Sequence, residues 1–124
     1  MENSGNKIRS FTDLYAWQEG HKLAVMIYKE TEKFPQKEIF GLVNQMRRAA
    51  VSVTSNIAEG FCRSTSKDKY QFYTIALGSL NELHSQLIIA RDVGYLSGDP
   101  FDSTVNQVTI VHKLINGLKR IKGV

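Results

Sequence analysis

At 124 residues, 42% of them hydrophobic, with sixteen Lys+Arg against twelve Asp+Glu, the chain has the size and apolar content of one folded domain with a formal net charge of +4. Two prolines and nine glycines exclude a collagen-like or low-complexity chain, and the apolar fraction excludes a disordered one. The lone cysteine, Cys62, rules out an intrachain disulfide and suits a reducing compartment. The longest apolar runs, such as Leu23 to Tyr28, fall far short of the roughly 20 residues that a membrane span needs. The polar opening from Met1 to Lys7 is unlike a secretory signal, so a soluble, cytoplasmic protein without a membrane partner is expected.

In chain order, a flexible start is expected to run through residues 1–10, ahead of a single domain over 11–124. Thr12 reads as an N-cap with Asp13 at the positive helix end, opening a first helix over about 12–33 that Phe34-Pro35 stops. Trp17 and Tyr15 are expected to seal one end of the core. A second helix over about 36–60 follows, with the spacing Ile39, Val43, Met46, Ala50, Val53, Ile57 as its buried seam. Ser66 is placed as the cap of a third helix, about 66–93, which Gly94 terminates. Ser97-Gly98-Asp99-Pro100 then supplies a turn, a cap and a first-position proline for a fourth helix over about 100–122. Its seam reads Phe101, Val105, Val108, Val111 or His112, Ile115, Leu118, Ile121. The β-branched pieces Val51-Ser52-Val53-Thr54 and Val108-Thr109-Ile110-Val111 lie inside these longer helical periods, so no strand is assigned. Four helices with short links make an all-α, antiparallel up-down-up-down four-helix bundle. The third helix carries more apolar surface than one seam can bury, which argues for self-association.

Two polar patterns are superimposed on this framework. Gln45, Arg48, Ser52, Asn56, Glu59 and Arg63 follow one face of the second helix, and Ser79, Glu82 and Gln86 form a similar strip on the third. The antiparallel arrangement sets Arg47 or Arg48 opposite Glu82, among small residues that favour close packing, and the stripe reads as a structural network or a small-ligand site. The second pattern is electrical. Up-down-up-down topology gathers Arg63, Lys67, Lys69, Lys119, Arg120 and Lys122 at one end of the bundle, together with Lys7 and Arg9, a surface suited to RNA or DNA phosphates. The same placement also complements helix dipoles and favours solubility, and no helix-turn-helix, zinc-finger or aromatic RNA-binding signature accompanies it. His21, His84 and His112 lie on three different helices without ligand spacing, Cys62 has no neighbouring base, and the glycines form no phosphate loop. No metal, cofactor or catalysis is expected.

Several stretches carry a resemblance: Phe11 to Trp17, Phe34-Pro35 with Glu38-Ile39-Phe40-Gly41-Leu42, Gln45 to Ala50, Ser55-Asn56-Ile57-Ala58-Glu59-Gly60, and Ala76 to Leu83. They resemble the four-helix-bundle proteins encoded in intervening sequences of bacterial 23S rRNA genes, once labelled S23 ribosomal proteins. The resemblance covers about Arg9 to Lys122 and implies a homopentameric ring of bundles. A related branch, the accessory variability determinant proteins of diversity-generating retroelements, consists of basic proteins that bind nucleic acid and a reverse transcriptase. Carried over by position, the family motif points to Arg47, Asn56, Glu59, Gly60, Ser79 and Glu82, with Arg63 following. Together these readings lead to a non-enzymatic oligomeric scaffold or adaptor that binds RNA, or a nucleic-acid-associated protein, through its basic end. The alternatives are a structural oligomer with a protein partner, or a small-ligand site at Arg48, Asn56, Glu59 and Glu82.

Overall fold

The computed structural model describes residues 7–121, and among these all regular structure is helical. Helices α1 (Tyr15–Thr31), α2 (Leu42–Phe61), α3 (Ser66–Asp92) and α4 (Gly98–Arg120) form an antiparallel four-helix bundle. Each packs on its neighbours in chain order, and α4 closes the ring against α1. The expected flexible start lies outside the described residues through residue 6.

The seams bury as their spacing requires. Val43, Met46, Ala50, Val53 and Ile57 of α2 line the core with Leu23 and Ile27 of α1 and Val108, Val111, Ile115 and Leu118 of α4. Val111, not His112, takes the inward place. The β-branched segments are helical because burial of Val53 and Val111 outweighs a few tenths of a kcal/mol of propensity, against roughly 1.5–3 kcal/mol per buried aliphatic side chain. On α3, Tyr73, Leu80, Leu83 and Leu87 are fully enclosed, while Tyr70, Ile75, Ile88 and Ile89 remain exposed as the apolar surplus anticipated.

Helix starts differ from the sequence reading. Ser10, not Thr12, is the first cap: its hydroxyl accepts from the Thr12 amide, and Asp13 Oδ2 accepts from Arg9 N at 2.8 Å and Ser10 N at 3.0 Å. This capping box folds Phe11–Asp13 into a 3-10 turn, and α1 begins only at Tyr15. Trp17 packs on the core, edge-on to Phe11 at 5.3 Å, but Tyr15 points outward and is exposed. The second helix starts at Leu42 rather than 36, since Gln36–Glu38 is a separate 3-10 turn and Ile39 lies outside the helix, 44% exposed. Glu38 causes the break. Its Oε1 accepts from the Leu42 amide at 3.3 Å, an orphan donor at the head of α2, and its Oε2 accepts from Tyr95 Oη at 2.8 Å. Ahead of α4, Gly98 rather than Pro100 is the first helical residue. Gly94 terminates α3 as expected, at φ +89° with Tyr95 N bonded to Ala90 O at 2.9 Å.

Gly60 fixes the crossing of α2 and α3. A Cβ there would lie 2.6 Å from Tyr73 Cε1 and 3.1 Å from Phe72 Cβ, so only glycine lets the Tyr73 ring lie against the α2 backbone. Gly60→Ala is therefore expected to cost about 1–3 kcal/mol through overpacking, read from urea unfolding midpoints. Gly78→Ala, with nothing within 4 Å of the added carbon, should instead stabilise by roughly 0.5–1 kcal/mol. The Tyr95 hydroxyl, with the Leu42 amide next, holds the Glu38 carboxyl below its usual 4.5. A folded-state value below the unfolded one gives stability that is present above pH 4.5 and lost as pH falls through the folded value. Glu38→Gln should lower stability at neutral pH and flatten the acid limb of a pH series of unfolding midpoints.

Candidate functional site

The residues singled out from the sequence fall on two surfaces: the end where α2 stops, α3 starts and α4 stops, and the flank where α2 faces α3. At the first, a short connector makes α3 restart beside the last carbonyls of α2. Thr65, one residue before the expected Ser66, caps α3 by accepting from the Asp68 amide at 3.1 Å. Lys69 then reaches back across the connector to α2, and its Nζ donates to Phe61 O at 2.6 Å and Gly60 O at 3.5 Å, 5.3 Å from the Phe61 ring. Those carbonyls carry the partial negative charge of a helix C-terminus, which an ammonium complements. Burial pulls the Lys69 pKa below its ordinary value, and the nearby Cys62 acts weakly the other way. Arg63 is also engaged. It pairs with Glu59 at 2.9 Å and lies 4.4 Å over the Phe72 ring, both partners of the pair about half exposed, so the pair is worth only about 0.3–0.5 kcal/mol.

The remaining cations behave differently. Lys119 arrives from α4 with its Nζ 4.6 Å over the Tyr70 ring, which places the end of α4 beside the start of α3 as antiparallel packing demands. The side chains of Lys67 and Arg120 are exposed and make no hydrogen bond or ion pair among the described residues. Lys122 lies outside the described residues. Between the two helices opens a cleft of about 340 Å³, lined by Ser66, Lys67, Lys69, Tyr70, Tyr73, Leu118, Lys119 and Ile121, with no carboxylate on its walls. The sequence reading selected the lysines but not Tyr70, Leu118 or Ile121 as binding residues. The available signal was Tyr70 at i+3 from Lys67, which puts an aromatic ring and a cation on one face of α3.

On the flank, the two polar strips meet only at their centre. Ser52 Oγ and Ser79 Oγ are 2.7 Å apart, and Asn56 Nδ2 donates to Ser52 O at 2.8 Å and Ser52 Oγ at 3.1 Å. Arg48 and Glu82 share a groove of about 250 Å³ with Gln45, Ala49 and Ser52, and neither has an ion-pair partner among the described residues. Glu82 accepts from Gln86 Nε2 at 3.3 Å. Arg47 stands apart from this network. One residue is a 100° step around a helix, which turns Arg47 toward α1, where its Nε donates to Thr31 Oγ1 at 3.0 Å and its guanidinium covers Tyr28 at 4.6 Å. Glu59 faces Arg63 instead of joining the central network, and Gly60 serves the helix crossing. Among the described residues no group of three His, Cys, Asp or Glu is placed to hold a metal, and no helix is long and apolar enough to cross a membrane.

The family model described as 23S rRNA-intervening sequence protein matches residues 12–117. Among solved structures, a protein of unknown function from the S23 ribosomal protein family of Bacteroides thetaiotaomicron superposes with a TM-score of 0.76 at 23% identity, covering 86% of this chain and 99% of that one. At that identity the likeness speaks to the fold. Comparison with curated proteins gave no match.

The contrast between engaged and unengaged cations is measurable in stability. Lys69→Ala should cost about 1 kcal/mol, because the carbonyls at the end of α2 lose their charged donor. Lys67→Ala should stay within about 0.5 kcal/mol of the parent in the same unfolding experiment.

Proposed function

The chain belongs to the 23S rRNA-intervening sequence protein family, and from that premise we propose that it is a non-enzymatic oligomeric scaffold that holds RNA at its cationic end. The observation that carries this reading is the convergence of Lys67 and Lys119 on a cleft without a carboxylate, with Arg120 exposed beside it. Lys67 and Arg120, which have no partner among the described residues, keep their full attraction for phosphate. Among those residues Lys119 contacts the Tyr70 ring and no carboxylate, and Lys69 and Arg63 are already engaged by carbonyls and by Glu59. Several copies arranged side by side would present several such ends to one strand, and linked weak contacts multiply into avidity.

Self-association is supported by the outer face of α3. Ile75, Glu82 and Ile89 recur every seventh residue, with Gly78 and Ser85 between them, and Ile75 and Ile89 are nearly half exposed. Isoleucines exposed on the outer face of a helix are apolar surface that a second copy would cover. A second reading, a protein partner bound through apolar surface, is favoured by Phe40, which stands 94% exposed on the turn ahead of α2.

Filter binding of RNA across a salt series, with mass by light scattering on the same preparation, tests the proposal. The expected mass is a multiple of 14.0 kDa. RNA affinity should fall steeply with salt, and Lys67→Ala or Lys119→Ala should each reduce the slope of log affinity against log salt by roughly 0.7 per lost contact to a single strand. Absence of binding to every RNA at low salt removes the RNA half of the reading, and a monomer mass removes the scaffold half.

A further inference from the structure

The cleft at the cationic end is shaped for more than a phosphate chain. Resting on the RNA-holding reading above, we propose that it receives one unstacked base of single-stranded nucleic acid, so that the protein prefers unpaired strands to duplexes.

Two chemistries are juxtaposed in one depression. The inner end is closed by Tyr73 and Leu118, each only about 1% exposed, and the partly exposed Ile121 adds an apolar side chain at the rim. The wall is the aromatic ring of Tyr70, 53% exposed. One side of that ring is held by the Lys119 ammonium at 4.6 Å, and Lys67 stands on the same wall three residues earlier in α3. An ion alone has no use for an exposed aromatic ring, and a lipid chain or apolar peptide has no use for the cations. A nucleotide uses both, with a flat base to stack and a charged link to either side. Its volume, about 340 Å³, stands at the lower end of the range in which small-molecule pockets fall, roughly 300–1,000 Å³.

Concavity excludes the other form of nucleic acid. A duplex keeps its bases stacked inside and offers a convex backbone, so a cleft between two helix ends can touch its phosphates and nothing more. A base turned out of a single strand can enter. The cation on Tyr70 adds to this preference, since it pins the ring in position before the base arrives and limits the entropy lost on binding.

The test is fluorescence anisotropy with a short labelled single-stranded RNA, the same RNA annealed to its complement, and a strand of equal length and charge in which the bases are removed. The intact single strand should bind about tenfold tighter than either of the others. Tyr70→Ala should cancel that difference, weakening the intact strand about tenfold while leaving its salt slope unchanged, and Tyr70→Phe should restore it, because the ring does the stacking. Tyr70 is half exposed, so the variants should fold, and circular dichroism checks this. Equal binding of duplex, base-free and intact strands, or an affinity indifferent to Tyr70→Ala, overturns the inference while the scaffold reading stands. Failure of all three probes to bind at low salt overturns the inference together with the RNA half of the proposed function.

Discussion

The close approach of α2 to α3 at Gly60 sets the geometry of the cationic end. With no side chain at that position, the Tyr73 ring lies on the α2 backbone, and the first turn of α3 is brought beside the last carbonyls of α2. Lys69 can then bridge the two helices, and the Tyr70 ring is left facing α4, where Lys119 covers it. A bulkier residue at 60 would push the first turn of α3 outward by about the ångström that these contacts can least tolerate, since close-packed interiors transmit displacement instead of absorbing it. One missing methyl group thus positions a hydrogen bond, a ring contact and a cleft in sequence.

Charge along the chain is a poor guide to charge available for binding. Of the cations assigned to the basic end, Lys69 serves α2's carbonyls and Arg63 serves Glu59 and Phe72, whereas Lys67 and Arg120 serve no partner within the described chain. The same reasoning separates Arg47 from Arg48. Arg47 is tied to Thr31 and Tyr28 and fastens α1 to α2, while its neighbour looks across a groove at Glu82 without reaching it. Adjacent residues of the same type therefore hold different roles, decided by a single 100° step.

The bundle was legible in the residues because seams of four and three repeat over five or six turns, and a long periodicity averages out local exceptions such as Val51-Ser52-Val53-Thr54. Helix starts were less legible. Where a hydroxyl caps, its neighbours compete for the place: Ser10 and not Thr12 caps the 3-10 turn ahead of α1, and Thr65 and not Ser66 caps α3, whereas α1 and α4 start without a side-chain bond from their N-cap residues. Glu38 was visible within a motif but its work was not, because its partner Tyr95 lies 57 residues away. Of the polar stripes on the two helices, only Ser52, Asn56 and Ser79 meet in the central network. Periodicity fixes a residue's direction around its own axis, not its height against the neighbouring helix, and a side chain reaches only a few ångströms.

Cleft and flank also differ in what each asks of the bundle. At the Ser52–Ser79 contact neutral hydroxyls satisfy one another, and Arg48 and Glu82 line the groove beside it. At the helix ends the chain has no such closure. Four antiparallel rods cannot cover their own tips, so a cleft opens where Tyr70, Lys67 and Lys119 border the buried Tyr73 and Leu118. A tip lined this way keeps an exposed ring and unneutralised charge within one side chain's length. Cation and ring are together because the antiparallel register of α3 and α4 brings Tyr70 to Lys119, the same register that buries Leu118.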